Sequence, residues 1–215
     1  MNSYIIKEYQ TLLAGLIALF CAAGTVIAIF HQIRSRETIA EQQRSRRSFA
    51  TRSVLPNALT QLCSYADDSV TFMSILRREA NQRRAPDQQL PGLRPPPEIP
   101  TDSVGIIREC IEHADQEPAK EMADLLSKLQ IQNTRMVGTQ AQLRANILPA
   151  IHSLDDYLLD ALEIFARASA LFEYARRETD EVPNGIDYEN MTNAANLCGI
   201  REHEFRSVHE RMVRY

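Results

Sequence analysis

The chain has no tryptophan, only seven glycines and only four cysteines among its 215 residues. Glycine lets backbone N–H groups close around phosphate, and no GxGxxG or GxxxxGK[ST] cradle can be assembled from so few. Neither the GxSxG elbow of serine hydrolases nor the HExxH of zinc peptidases occurs. Cys21, Cys63, Cys110 and Cys198 are far apart and form no CxxC pair. That spacing gives neither a disulfide framework nor a zinc knuckle, and the thiols read as small apolar side chains. No stretch alternates apolar and polar residues with the β-branched enrichment of a sheet, so the predicted fold class is all-α.

Charge is missing over one long stretch. From Tyr9 to Ile33 there is no Lys, Arg, Asp or Glu, a run of 25 residues that would reach roughly 37 Å as a helix. Within it, Thr11 to Phe30 holds ten Leu, Ile, Val and Phe residues. This is long enough to cross a bilayer, so residues 11–33 are expected to form a transmembrane helix, with 1–10 outside the cytoplasm. A cleaved signal peptide would need a shorter apolar core, and cleavage after the small Cys21/Ala23 pair would leave Val26, Ile27, Ile29 and Phe30 at a greasy new terminus. A buried core helix is the third reading, and the Arg-rich continuation gives it little to pack in. Ala14, Ala18 and Ala22 recur every four residues, a spacing that lets two helices approach closely in lipid and makes self-association an expectation.

Beyond the run come Arg34, Arg36, Arg44, Arg46, Arg47 and Arg52, against a single Lys7 before it. The bias places the C-terminal part in the cytoplasm, under an inner membrane, with Arg34, Arg36, Arg44, Arg46 and Arg47 facing lipid headgroups. Residues 34–52 hold no Pro or Gly and too few apolar positions for a heptad seam, and read as a polar stalk. Residues 1–52 carry seven basic and three acidic side chains, so the overall charge of −4 leaves −8 on residues 53–215. An acidic body is a poor tracker of phosphates, and no nucleic-acid partner is expected.

The order KEYQTLLAG (Lys7 to Gly15), apolar run, Arg-rich stalk and VLPNAL (Val54 to Leu59) resembles small uncharacterised bacterial single-pass membrane proteins. The resemblance implies an anchor and no activity.

Residues 53–215 are predicted to be one helical bundle interrupted by a proline-rich loop over 85–100. Leu55, Leu59, Leu62, Ala66, Val70, Met73 and Leu76 mark a helix from Pro56, at its first turn, to about Arg84. Thr101 or Asp102 is placed to cap a second helix, and Pro118 starts a third that Gly138 could interrupt. Pro149 to Glu178 has the longest three-four spacing, through Ile151, Leu154, Leu158, Ala161, Phe165, Ala168, Phe172 and Ala175. A stripe that broad predicts the central helix of the bundle, with Phe165 and Phe172 buried. Asp187 is placed to cap a short helix ending at Leu197, which Gly199 breaks, before a last amphipathic helix.

Residues that could carry chemistry are few. Glu109, Glu112 and His113 echo the ExxH of di-iron bundles, but Cys110 stands three before His113 and no second ExxH exists. His203 and His209 are six residues apart and share no helical face; an ion-paired surface with Glu202 matched to Arg206 is expected there. His152, Asp156, Asp160 and Glu163 run along one side of the central helix, where stacked carboxylates could hold a cation. Arg167, four residues after Glu163, makes an ion-paired outer face the simpler reading. No catalytic residue, cofactor or firm metal ligand is expected. The sequence thus suggests a membrane-anchored interaction or scaffolding protein, with a tethered metal-binding or hydrolytic bundle, or an accessory subunit of a membrane complex, as alternatives.

Overall fold

The computed structural model describes residues 2–82, 95–145 and 147–215, with side chains at residue 25 and from residue 29 onward. All regular structure among these residues is helical: α1 (Asn2–Gln82), α2 (Thr101–His113), α3 (Gln116–Arg144), α4 (Ile151–Ala170), α5 (Phe172–Arg176), α6 (Tyr188–Leu197) and α7 (Arg206–Met212). The chain divides into two compact units, Met1–Arg47 and Ser48–Tyr215. The first is the opening part of α1. Most of the apolar run, Ala14, Ala18 and Ala22 included, lies outside the described side chains. Among the described residues no helix is long and apolar enough to cross a membrane. In this unit Arg34, Arg36, Arg44, Arg46 and Arg47 are exposed.

The second unit is the bundle, and it begins at Ser48, inside the segment read as stalk. Its first helix does not start at Pro56, which lies within α1. Proline in a helix interior forfeits a hydrogen bond and crowds the preceding turn, at a cost of about 3 kcal/mol. Leu55, Leu59, Leu62, Met73 and Leu76 are all fully buried, and at roughly 1.5 to 3 kcal/mol for each large side chain their burial outweighs that cost.

Two apolar clusters stack along the bundle. One gathers Leu55 to Ala66 of α1, Ile107 and Cys110 of α2, Met122 to Leu129 of α3 and Ile164 to Ala175. The other gathers Val70 to Leu76, Met136, Leu154 to Ala166, and the α6 and α7 residues Met191, Ala195, Phe205, Val208 and Met212. Rising α1 numbers thus accompany rising α3 numbers and falling α4 numbers. Ile99, at the end of the proline-rich loop, packs on the first cluster.

α4 packs against α3, α5, α6 and α7, which makes it the central helix, but its details depart from the periodicity. It starts at Ile151 and stops at Ala170, where the Leu171 N–H turns back to Ala168 O at 3.3 Å. The short α5 then ends at Arg177, whose φ of 65° is left-handed. Phe165 and Phe172 are half-buried, whereas Glu163 is 1% exposed. Phe165 still packs on both apolar clusters and Phe172 on the first, so the apolar face points inward as expected, and what is corrected is Glu163, which is buried as well. The physical reason is that helices close over several sides of α4, so the polar stripe of its middle turns also meets a neighbour, α3.

Other expectations divide cleanly. Asp187 caps α6, accepting from Asn190 N at 2.9 Å while the Asn190 side chain accepts from Asp187 N, and Gly199 breaks the chain at φ 72°. α2 instead follows Pro100, without a side-chain cap from Thr101 or Asp102, and α3 passes through Gly138 unbroken.

Candidate functional site

The most concentrated chemistry lies between α3 and α4. Both Glu163 oxygens are bonded: Oε1 accepts from Arg167 Nε at 2.9 Å, and Oε2 from Lys128 Nζ at 2.7 Å and Tyr215 Oη at 2.9 Å. Arg167 also reaches Glu121 Oε2 at 3.2 Å, and Glu121 Oε1 accepts from Gly185 N at 3.2 Å. Five side chains and a loop amide thus make one network joining α3, α4, the 179–187 loop and Tyr215. Burial alone would raise the Glu163 carboxyl, but the bonds from Lys128, Arg167 and Tyr215 outweigh it and hold it below the usual carboxylate range. The Tyr215 hydroxyl is pushed far up, by burial first and then by the negative charge it donates to.

A second cluster is built on Arg77. Its Nε donates to Asp155 Oδ1 at 2.5 Å, its other nitrogens to Glu204 O and Ser207 Oγ at 3.2 Å, and Ser207 donates back to Asp155 Oδ2 at 2.6 Å. The guanidinium also lies 4.9 Å from the centre of the Phe205 ring. Both charges are nearly buried, with side-chain exposures of 11% and 3%. Burying such a pair is tolerable only where donors and acceptors are nearly all matched, as they are here.

The residues singled out from sequence do not converge. Asp156 is exposed and pairs with Arg211, whereas Asp160 pairs with Arg135, whose guanidinium lies 5.2 Å from the Tyr157 ring centre. His152 is exposed, as are Glu109 and Glu112, and His113 is half-buried. Among the described residues no group of three or more His, Cys, Asp or Glu side chains could hold a metal ion. Arg206 pairs with Glu210 at 3.4 Å and not with Glu202, because residues 202–204 form a turn and α7 starts only at Arg206. His209 contacts Ile200 O at 3.3 Å. The Asp156, Asp160 and Glu163 row is thus corrected from one outer face to three separate environments, with Glu163 innermost.

Glu121, Lys128, Arg77 and Asp155 were not singled out from sequence. A signal existed: Glu121 and Lys128 stand beside Met122, Leu125 and Leu129, and Asp155 beside Leu154 and Leu158, at core register positions. A charged residue at an apolar position of a strong stripe is the mark of an internal ion pair.

Two surface clefts border charged groups among the described residues. One of about 310 Å³ is lined by Gln116, Glu117, Lys120, Glu121, Val182, Pro183 and Asn184, and reaches the outer end of the Glu163 network. The other, about 460 Å³, is bordered by Glu202, His203 and Arg206. The three described thiols offer little nucleophilicity. Burial raises Cys63 and Cys110, and Cys198 is pushed up to about 12 by burial and then by the Asp67 carboxylate. Thiols so placed stay protonated near neutral pH. No family model, curated protein or solved structure matches the chain.

Proposed function

We propose that the protein is a membrane-anchored helical scaffold whose bundle presents a rigid surface to a protein partner. The observation that carries this reading is the sequestration of Glu163, which is 1% exposed with both oxygens held by structural donors. A general base or metal ligand must reach its substrate or ion and have a tuned proton affinity, whereas this carboxylate is buried, has each oxygen engaged by a structural donor and has its proton affinity lowered. Its bonds tie α3, α4 and Tyr215 into a brace. The anchor rests on the uncharged 25-residue run and the Arg-rich segment after it, which together favour a span over residues 11–33, a cytoplasmic C-terminal body and the inner membrane.

The test is carbonate extraction and affinity capture of the full chain beside a Leu16→Arg, Leu19→Arg chain. The unmodified chain should stay in the carbonate pellet and the doubly substituted chain should leave it. Proteins captured by both bind the bundle, and those lost with the anchor bind the span. A carbonate-soluble unmodified chain would falsify the anchor. Hydrolytic activity that survives purification and is lost in Glu163→Gln, with folding intact, would replace the scaffold by an enzyme.

A further inference from the structure

We propose that one side of the helix over residues 32–47 is a docking strip for an anionic phospholipid surface. At about 100° per residue, Arg36, Arg44, Arg46 and Arg47 fall with Ile33, Ile39 and Ala40 inside an arc of about 160° that contains no acidic residue. Both acids of the segment, Glu37 and Glu41, fall in the remaining arc with Arg34, Ser35, Thr38 and Ser45. The two arcs thus differ in charge by sign, four positive charges on the first and a net single negative charge on the second. Every residue of the strip is exposed, and Ile33 and Ile39 are 46% and 51% exposed in a segment otherwise almost wholly polar. On the other arc Thr38 Oγ1 is turned to its own backbone, donating to Arg34 O at 2.9 Å.

Basic residues flanking a few aliphatic ones on one side of a helix, with acids confined to the other, is the chemistry of a helix that lies in a headgroup layer. The guanidinium groups pair with phosphates while the Ile side chains enter the acyl boundary. An anionic lipid is favoured over an acidic polypeptide by continuity, because the strip begins at the end of the 25-residue uncharged run. In this the inference rests on the anchored reading, and it changes one part of it: Arg34 belongs to the solvated side, not to the lipid-facing set. It also sets a geometric condition. Arg47 is 17 residues beyond Phe30, about 25 Å along an upright helix, several times the roughly 8 Å over which charge is felt in physiological salt. The strip therefore engages lipid only when the helix leans onto the surface, and anionic lipid supplies the reason to lean.

The absence of tryptophan makes the test clean. Gln43→Trp places a reporter near the middle of the strip and Ser45→Trp places one on the opposite side. Each full-length chain is reconstituted into vesicles of brominated phosphatidylcholine, with or without phosphatidylglycerol. Gln43→Trp should be quenched and blue-shifted only with phosphatidylglycerol, and high salt should reverse the effect. Ser45→Trp should keep the emission of a water-exposed indole throughout. Replacing Arg36, Arg44, Arg46 and Arg47 by Gln should abolish the quenching, and Arg34→Gln should leave it. Equal behaviour at the two positions, indifference to phosphatidylglycerol, or a response to polyglutamate in its place would overturn the proposal. A chain that fails to float with pure phosphatidylcholine vesicles overturns the anchor alone, since recruitment and quenching by phosphatidylglycerol vesicles still decide the strip.

Discussion

Glu163 and Gln132 are polar side chains buried to the same degree, 1% and 0% exposed, on facing helices of one bundle. Glu163 has three donors, whereas neither amide atom of Gln132 has a hydrogen-bond partner, and Thr139 Oγ1, seven residues on, has none either. The difference is one of neighbours. α4 answers α3 with opposite charge at Lys128 and Arg135, but Gln132 lies between these two pairs along α3, between Leu129 of one apolar cluster and Met136 of the other. A buried charge in this fold is thus matched, and a buried amide is tolerated at a cost.

The largest effect should come from breaking the matched site. Glu163→Ala leaves Lys128 and Arg167 half-desolvated without their acceptor and is expected to lower the stability of the 48–215 unit by about 3 to 5 kcal/mol, read as a fall in the urea midpoint at unchanged slope. A loss below about half a kcal/mol would show that Glu163 faces water. Titration should act in the same direction with smaller size, because a proton keeps the side chain's shape. The lowered Glu163 carboxyl gives stability that is present above its unfolded value of about 4.3 and is lost as pH falls through the folded value. The raised Tyr215 hydroxyl gives stability that is present below about 10 and is lost as pH rises through its folded value. Thermal melts across pH should therefore fall off at both ends, and Tyr215→Phe should flatten the alkaline side.

At the unmatched site the sign should invert. Gln132→Met keeps the shape and removes two orphaned polar atoms, and should raise stability by about 1 to 3 kcal/mol. A decrease would show that the amide is satisfied in solution. The smallest effect should be at Asp156→Ala, since its pair with Arg211 is at the surface; a change of about 0 to 1 kcal/mol is expected, and a larger one would make that contact part of the brace.

The sequence made the helical class and the centrality of the fourth helix legible, because Leu154, Leu158 and Leu162 repeat at helical spacing with no break. It also made the α6 cap legible, since Asp187 and Asn190 satisfy each other locally. Which side of α4 meets water was not legible. That depends on helices far away in sequence: Glu163 looks like an ion-paired surface residue next to Arg167, and only Lys128 and Tyr215 turn it into an interior one. For the same reason the stop of α4 at Ala170 and the passage of α1 through Pro56 escaped a local reading, as both follow from what the rest of the bundle packs against.

Arg52 has a further consequence, for the order in which the unit assembles. Its Nε donates to Tyr174 O and its other nitrogens reach Thr179 O and Asp180, while Arg177 donates to Phe49 O and lies over the Phe49 ring. These partners are separated by 122 to 128 residues along the chain. Closing a loop that long forfeits chain entropy before any contact repays it. During synthesis the turn of α1 around Arg52 must wait, without this clasp, until residue 180 has been made. The clasp is therefore expected to form late in folding, and its loss to speed unfolding much more than it slows folding.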